Sequence, residues 1–302
     1  MEAVVTLAGE GTRMLPWSRG LRKEFLPLYG RGQSGDLVLK SVAHFVVETL
    51  VRAGADRLTL VVQPRDLDFV RNYFSVDPEF VRRHRHHADR LRDTERFYDT
   101  LRTVHFDYAV QTEVKGFGDA VLRARPFVGR APFFLHAGDA VLMEPEGPSV
   151  LRAMAALQST ESLDAVLLVR HVSDARRYGV VEGRPAGRFD GFRRLNVTGM
   201  IEKPERPKTH WAATAVYVFT PAIFPALERH RRTARPRELE LTDGIRGLIA
   251  DGGRVAALVL DPTREWRSVG SPEGFAKALH RTRLHAKRAS SVPAGSSPGR
   301  QG

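Results

Sequence analysis

Four short stretches of this 302-residue chain hold side chains of the kinds that manage phosphate. The first is Leu7-Ala8-Gly9-Glu10-Gly11-Thr12-Arg13-Met14-Leu15-Pro16, at the end of an apolar run that begins at Ala3. Glycine lets backbone N–H groups come close to phosphate oxygens, and the Arg13 guanidinium adds a two-pronged donor. Met14 occupies the third glycine position of a dinucleotide fingerprint, and the loop lacks the Gly-Lys-Ser/Thr ending of a Walker sequence. Alone it fits a plain strand-to-helix turn about equally well. The continuation Arg22-Lys23-Glu24-Phe25-Leu26-Pro27 adds a lysine, and only seven of the 47 cationic residues are lysine.

The other three stretches follow in order. They are Gln111 with Lys115-Gly116-Phe117-Gly118-Asp119, then Gly138-Asp139, then Tyr178-Gly179-Val180-Val181 with Glu202-Lys203-Pro204. Together with LAGEGTRMLP and KEFLPL they resemble the signature of the sugar-1-phosphate nucleotidyltransferases, above all the bacterial UTP–glucose-1-phosphate uridylyltransferases. The likeness spans about Ala3 to Leu279. Taken singly, Gln111 reads as a solvent-facing amide, Asp139 as a loop cap and Glu202-Lys203 as an exposed turn. The ordered set is far more specific than any member.

The resemblance implies a condensation of a nucleoside triphosphate with a sugar-1-phosphate, UTP and glucose-1-phosphate being the favoured pair, with pyrophosphate released. It places Ala8, Gly9, Gly11, Thr12 and Arg13 around the nucleotide, with Lys23 on the triphosphate. Gln111 and Gly116 would meet the base, since an amide can donate and accept at once. Asp139 would hold Mg²⁺, for which one carboxylate plus phosphate oxygens is enough. Gly179, Glu202 and Lys203 would take the sugar phosphate, the carboxylate on hydroxyls and the ammonium on phosphate. Arg13, Lys23 and Asp139 form the expected catalytic set. A phosphate nucleophile is already an anion, so charge neutralisation and positioning suffice.

Several positions depart from the family pattern. Asp119 stands where the uridylyl branch usually has His, and Ala140 follows Asp139 where a second acid is common. Glu202-Lys203-Pro204-Glu205-Arg206-Pro207-Lys208-Thr209 is closer to the thymidylyl version. Ala215 replaces a glycine, and Ser268 in Trp266-Arg267-Ser268-Val269-Gly270 replaces an aspartate that is a metal ligand in the thymidylyl branch. These leave two alternatives open: a thymidylyl-, cytidylyl- or other transferase with a shifted acceptor, and a catalytically weak homologue that only binds nucleotide or sugar phosphate.

The elements that must position these residues read as strands at Ala3–Ala8, Arg57–Val62, Val104–Val110 and 132–136. Helices alternate with them at Leu37–Ala53, Asp66–Phe74 and Phe117–Arg125. This rhythm predicts an α/β fold, a Rossmann-like wound, mostly parallel mixed sheet with helices on both faces. Closely spaced strands at Ala165–Val169, Gly179–Glu182, Val197–Glu202 and Ala213–Phe219 predict a small β-rich lobe on the sugar side. Helices at Pro221–Arg229 and Thr242–Ala250, a strand at Val255–Leu260 and a helix from Pro272 complete the pattern. One domain over 1–288 is expected, its nucleotide part about 1–160 and its sugar-phosphate part about 161–288. The Ser/Pro/Gly-rich 289–302 is expected to be a disordered tail.

The net charge of +12 raises nucleic acid as a partner. However, Arg281–Gly302 alone carries five cations and no acid, and Gly9–Gly32 carries five cations against two acids. No nucleic-acid-binding motif accompanies them, so a phosphorylated small molecule is favoured over nucleic acid. No apolar run reaches the ~20 residues of a membrane span. The absence of cysteine excludes thiol chemistry and disulfides and suits the cytoplasm. The resemblance suggests a homo-oligomer.

Overall fold

The computed structural model describes residues 1–145, 147–233 and 238–288, the side chains of 232 and 233 apart. The expected tail at 289–302 lies outside the described residues. The chain opens with β1 (Glu2–Thr6), followed by the hairpin β2 (Pro27–Arg31) and β3 (Leu37–Ser41), then α1 (Val42–Arg52) and β4 (Arg57–Val62). Next come α2 (Leu67–Tyr73), α3 (Pro78–His84), α4 (Ala88–Arg102), β5 (His105–Val110), α5 (Phe117–Ala124), β6 (Phe133–Ala137) and β7 (Ala140–Met143). The second half holds α6 (Val150–Glu161), β8 (Ala165–His171), β9 (Gly179–Phe189), β10 (Phe192–Glu202), β11 (Trp211–Phe219), α7 (Ile223–Thr233) and α8 (Leu241–Ala250). It ends with β12 (Val255–Val259), β13 (Glu265–Ser268) and α9 (Pro272–Arg288).

Nine strands form one sheet in the order β5-β4-β1-β6-β11-β8-β12-β10-β9. The β5-β4-β1-β6 half is parallel, and β11 is antiparallel to both β6 and β8. The closely spaced strands expected as a lobe are thus the continuation of the same sheet. Its far edge is the long antiparallel β9–β10 hairpin. Alternation along each strand explains the two cores. Ala3, Val5, Leu58, Leu60, Phe134 and Val166 face α1, α2, α4 and α6, while Val4, Val61, Phe133, Leu135 and Leu167 face α5, α7 and α8.

Two local expectations need correction. The apolar spacing from Leu37 to Ala53 is a strand followed by a helix, because Ser41 accepts a hydrogen bond from His44 N and starts α1 there. Leu37 and Leu39 lie on the exposed side of the hairpin rather than on a helical face. Helix α6, which buries Leu151, Met154 and Leu157, is absent from the expected elements. A third, small core joins Met14 of the glycine loop to Leu28, Val141, Met143, Val269 and Ala278.

Candidate functional site

The glycine loop leaves the C-terminal end of β1, and Gly138-Asp139 leaves the neighbouring parallel end of β6. The carbonyls of this loop are tied down by side chains. Gln63 Nε2 donates to Ala8 O at 2.7 Å, an Arg22 terminal nitrogen to Gly9 O at 3.2 Å and Ser18 Oγ to Gly11 O at 2.8 Å. Arg22 itself is anchored on Asp66. Among the described residues, the N–H groups of Gly9, Glu10 and Gly11 donate to nothing. Carbonyls held back and amides left forward make a nest for an anion. Gly11 has φ +66°, a left-handed conformation that glycine adopts without strain.

Beside this loop Lys23 Nζ lies 2.6 Å from Asp139 Oδ2 and 3.7 Å from Glu24 Oε1. The Lys23 ammonium is pulled down by burial, but Asp139 and Glu24 outweigh this and raise it above the ordinary lysine value. Burial pushes the Asp139 carboxyl up, yet Lys23 and then Arg13 hold it below the usual range, so it is ionised. Burial pushes Glu24 up to about 7, and its Oε2 has no hydrogen-bond partner among the described residues. Gly138 is required for this convergence, since a Cβ there would sit 2.8 Å from Thr6 O.

Arg13 arrives from the other side. A Cβ built on Gly270 would lie 3.1 Å from an Arg13 terminal nitrogen, 3.2 Å from Ser268 Oγ and 3.3 Å from Asp139 Oδ2. Gly270 is therefore the point around which three expected site positions meet. Ser268 pairs with Ala140 across β13–β7, so the two positions where the family pattern has acids face each other on one rung.

Arg13, Asp139, Ser268 and Gly270 open into a cleft of about 730 Å³ whose lining also includes Gly179, Glu202 and Ala215. Gly179 is the cross-strand neighbour of Glu202. A Cβ at Gly179 would lie 3.2 Å from Glu202 Oε2, so the glycine keeps that carboxylate within reach of the cleft. Thr242 Oγ1 donates to Glu202 Oε2 at 2.7 Å, which fixes its orientation. Lys203 Nζ sits 3.1 Å from Glu202 Oε1 and 3.9 Å from Glu240. Burial lowers the Lys203 ammonium, but these two carboxylates more than offset it. Ala215 has φ +58° and forms a bulge, so that β11 spans Ala213 to Tyr217 while β8 spans only Val169 to Leu167.

Of the expected site residues, Ala8, Gly9, Gly11, Thr12, Lys23, Gln111, Gly116 and Lys203 are not among the residues that line this cleft. Gln111 is buried, and its Nε2 donates to Asp119 Oδ2 at 2.8 Å and to Gly116 O at 3.3 Å. Arg123 holds Asp119 in turn. The Gln111 Oε1 accepts no hydrogen bond among the described residues. Gly116, with φ +99°, admits no side chain, because a Cβ would stand 2.5 Å from Leu239 O.

Sequence reasoning assigned no role to Glu24, Thr242 or Arg170. Glu24 stood in plain view beside Lys23, but its burial depends on three chain segments meeting. For the metal, Asp139 supplies one ionised carboxylate at the cleft and Ser268 only a neutral hydroxyl. Among the described residues no cluster of three or more metal-type ligands occurs. That donor set fits a hard cation that takes its remaining oxygens from phosphate and water. No helix among the described residues is long and apolar enough to cross a membrane.

The nucleotidyl transferase family model matches residues 2–283. The UTP–glucose-1-phosphate uridylyltransferase of Mycoplasma pneumoniae is 29% identical over 280 residues, covering 92% of this chain and 90% of that protein. The Streptococcus pneumoniae protein of the same name is 31% identical over 250 residues, covering 81% and 78%. An apo UDP-glucose pyrophosphorylase crystal structure matches with TM-score 0.81 at 24% identity, covering 94% of this chain and 98% of that one. The UTP-bound UGPase of Acinetobacter baumannii matches with TM-score 0.77 at 24% identity, covering 94% and 93%. At those identities the structures attest the fold.

Proposed function

Because the chain belongs to the nucleotidyl transferase family, we propose that its cleft transfers a uridylyl group from UTP to glucose-1-phosphate and releases pyrophosphate. The observation that carries this reading is the Lys23–Asp139 pair, set between a nest of free amides and a carboxylate–ammonium pair at Glu202 and Lys203. The names of the relatives support UTP and glucose-1-phosphate as the substrates.

The triphosphate lies over Gly9, Gly11 and Thr12, with Arg13 and Lys23 on its oxygens. Lys23 neutralises the charge that develops as the α-phosphorus is attacked, and no residue need remove a proton. Asp139 is the residue that would hold Mg²⁺, which supplies charge neutralisation across phosphate oxygens when bound. The acceptor phosphate sits against Lys203, and Glu202, aimed by Thr242, takes sugar hydroxyls. Residues 1–160 thus serve the nucleotide and 161–288 the acceptor.

Base choice follows from Gln111. Both its amide hydrogens are committed to Asp119 and Gly116, so it offers only an acceptor. An acceptor suits the N3–H of uracil or thymine and opposes the bare N3 of cytosine. The test is pyrophosphate release from UTP, TTP, CTP, ATP and GTP against several sugar-1-phosphates with Mg²⁺. The UTP and glucose-1-phosphate pair is expected to be fastest. Silence across the whole matrix would overturn the reading.

A further inference from the structure

One wall of the cleft carries a cation to which the reaction above gives no role. Arg170 stands near the end of β8, opposite Ala212 of β11 and one rung from the start of the Ala215 bulge. Its guanidinium carbon lies 4.8 Å from the Trp266 ring centre and 5.3 Å from that of Tyr178, and a terminal nitrogen donates to Tyr178 Oη at 3.1 Å. All three side chains line the cleft.

No carboxylate among the described residues balances this charge. The charged side chain that bears on Arg170 is another cation, Arg267, which also lines the cleft. Arg170 Nε, Trp266 Nε1 and Arg267 Nε are buried donors with no acceptor among the described residues. The next residue, Ser268, faces Ala140, so that rung contributes no negative charge. A guanidinium taken from water without a counter-charge destabilises a fold, as do unpaired buried N–H groups. Two aromatic rings flank the guanidinium and one terminal nitrogen is spent on Tyr178, which leaves donors of a charged fork that suits an oxyanion.

The position selects the partner. Arg170 is bonded to Tyr178, which precedes Gly179, and Gly179 is paired with Glu202. Gly179 and Glu202 are the residues that the proposed reaction gives to the acceptor.

We propose that Arg170 is a specificity-determining residue that takes an oxyanion of the acceptor on its guanidinium edge, the oxyanion being the 1-phosphate or a carboxylate on the sugar. The proposal rests on the nucleotidyl-transfer reading for the identity of the acceptor, and its test separates the two. Calorimetric binding of glucose-1-phosphate and glucuronic acid-1-phosphate to the full chain is compared in wild type, Arg170→Gln and Arg170→Lys, alongside the KM for UTP. In Arg170→Gln at least one of the two ligands should bind ~10-fold or more weakly, the size of one lost charge-assisted contact. The KM for UTP should stay within about twofold, because the glycine loop is untouched. Arg170→Lys keeps the charge without the fork and should recover only part of the loss, which decides the matter even if the Gln variant is insoluble. Equal weakening of both ligands assigns the phosphate, and weakening confined to the uronic acid assigns the carboxylate. Unchanged affinity for both in the variants overturns the proposal, as does a wild type that binds neither. A wild type that binds glucose-1-phosphate through Arg170 but releases no pyrophosphate refutes the reaction and upholds the binding role.

Discussion

Lys23 Nζ and Asp139 Oδ2 lie 2.6 Å apart although 116 residues separate them in the chain. Asp139 follows β6 closely while Lys23 comes from a short 3-10 turn between β1 and β2, and the bare Gly138 lets them close. With Glu24 also 3.7 Å from the ammonium, neither member is replaceable by a neutral group without unbalancing the other. Lys23→Ala and Asp139→Asn should each lower turnover ~10²-fold or more, the scale of removing one transition-state stabiliser. The double variant should lose little beyond either single one, since the two act as a unit. Steady-state pyrophosphate release measures all three; near-normal turnover in both single variants would contradict the assignment.

Ala215 holds a left-handed backbone conformation at φ +58° on the floor of the cleft. A non-glycine residue there carries about 1 kcal/mol of strain. Ala215→Gly should relieve roughly that amount and raise Tm by ~2 °C for a domain of this size. Removing the methyl also widens the cleft, so the KM for the acceptor should change while that for UTP does not. A lower melting temperature in calorimetry would sink the strain argument.

Glu24 has its pKa raised by burial from 4.5 to about 7. A raised carboxyl favours the folded state fully below its unfolded value, and this contribution is lost as pH rises through about 7. The loss amounts to about 3 kcal/mol between those limits. Glu24→Gln removes the titrating proton, so its stability curve should be flatter from pH 4.5 to 8 than that of the wild type. Chemical denaturation across that range tests it, and parallel curves would show that Glu24 is not the titrating group.

Asp119 keeps one face of Gln111 committed as a donor. Asp119→Ala frees that amide hydrogen to meet a base acceptor such as cytosine N3, while Arg123, about one-third exposed, can turn to water. The ratio of kcat/KM for UTP over CTP should fall about tenfold, the worth of one hydrogen bond. An unchanged ratio would detach Gln111 from base selection.

The motif residues were legible in the sequence because each motif is local. The loop Gly9–Arg13, Asp139 after a buried strand, and Glu202-Lys203 each needed only neighbours along the chain. The strand-helix rhythm likewise located β1, β4, β5, β6 and β8 through their short apolar runs. What escaped depends on distant segments. Leu37 and Leu39 mimic helical spacing, and only the Ser41 cap separates β3 from α1. Arg170 sits in a run that reads as core strand, and its meeting with Trp266 is set by the packing of β8 against a segment almost 100 residues later. The β7–β13 ladder, which brings Ala140 to Ser268, has strands of four residues each and no alternation long enough to read.

The small core beside that ladder also ties the glycine loop to α9. The glycine loop and α9 lie about 260 residues apart in sequence, yet Met14 shares a small core with Val269 and Ala278, and Arg13 rests by Gly270. The nine-stranded sheet needs no residue beyond Val259, so the glycine loop takes its backing from a segment outside that sheet. A change in α9 at Ala278 therefore reaches the glycine loop through Met14 without touching the sheet.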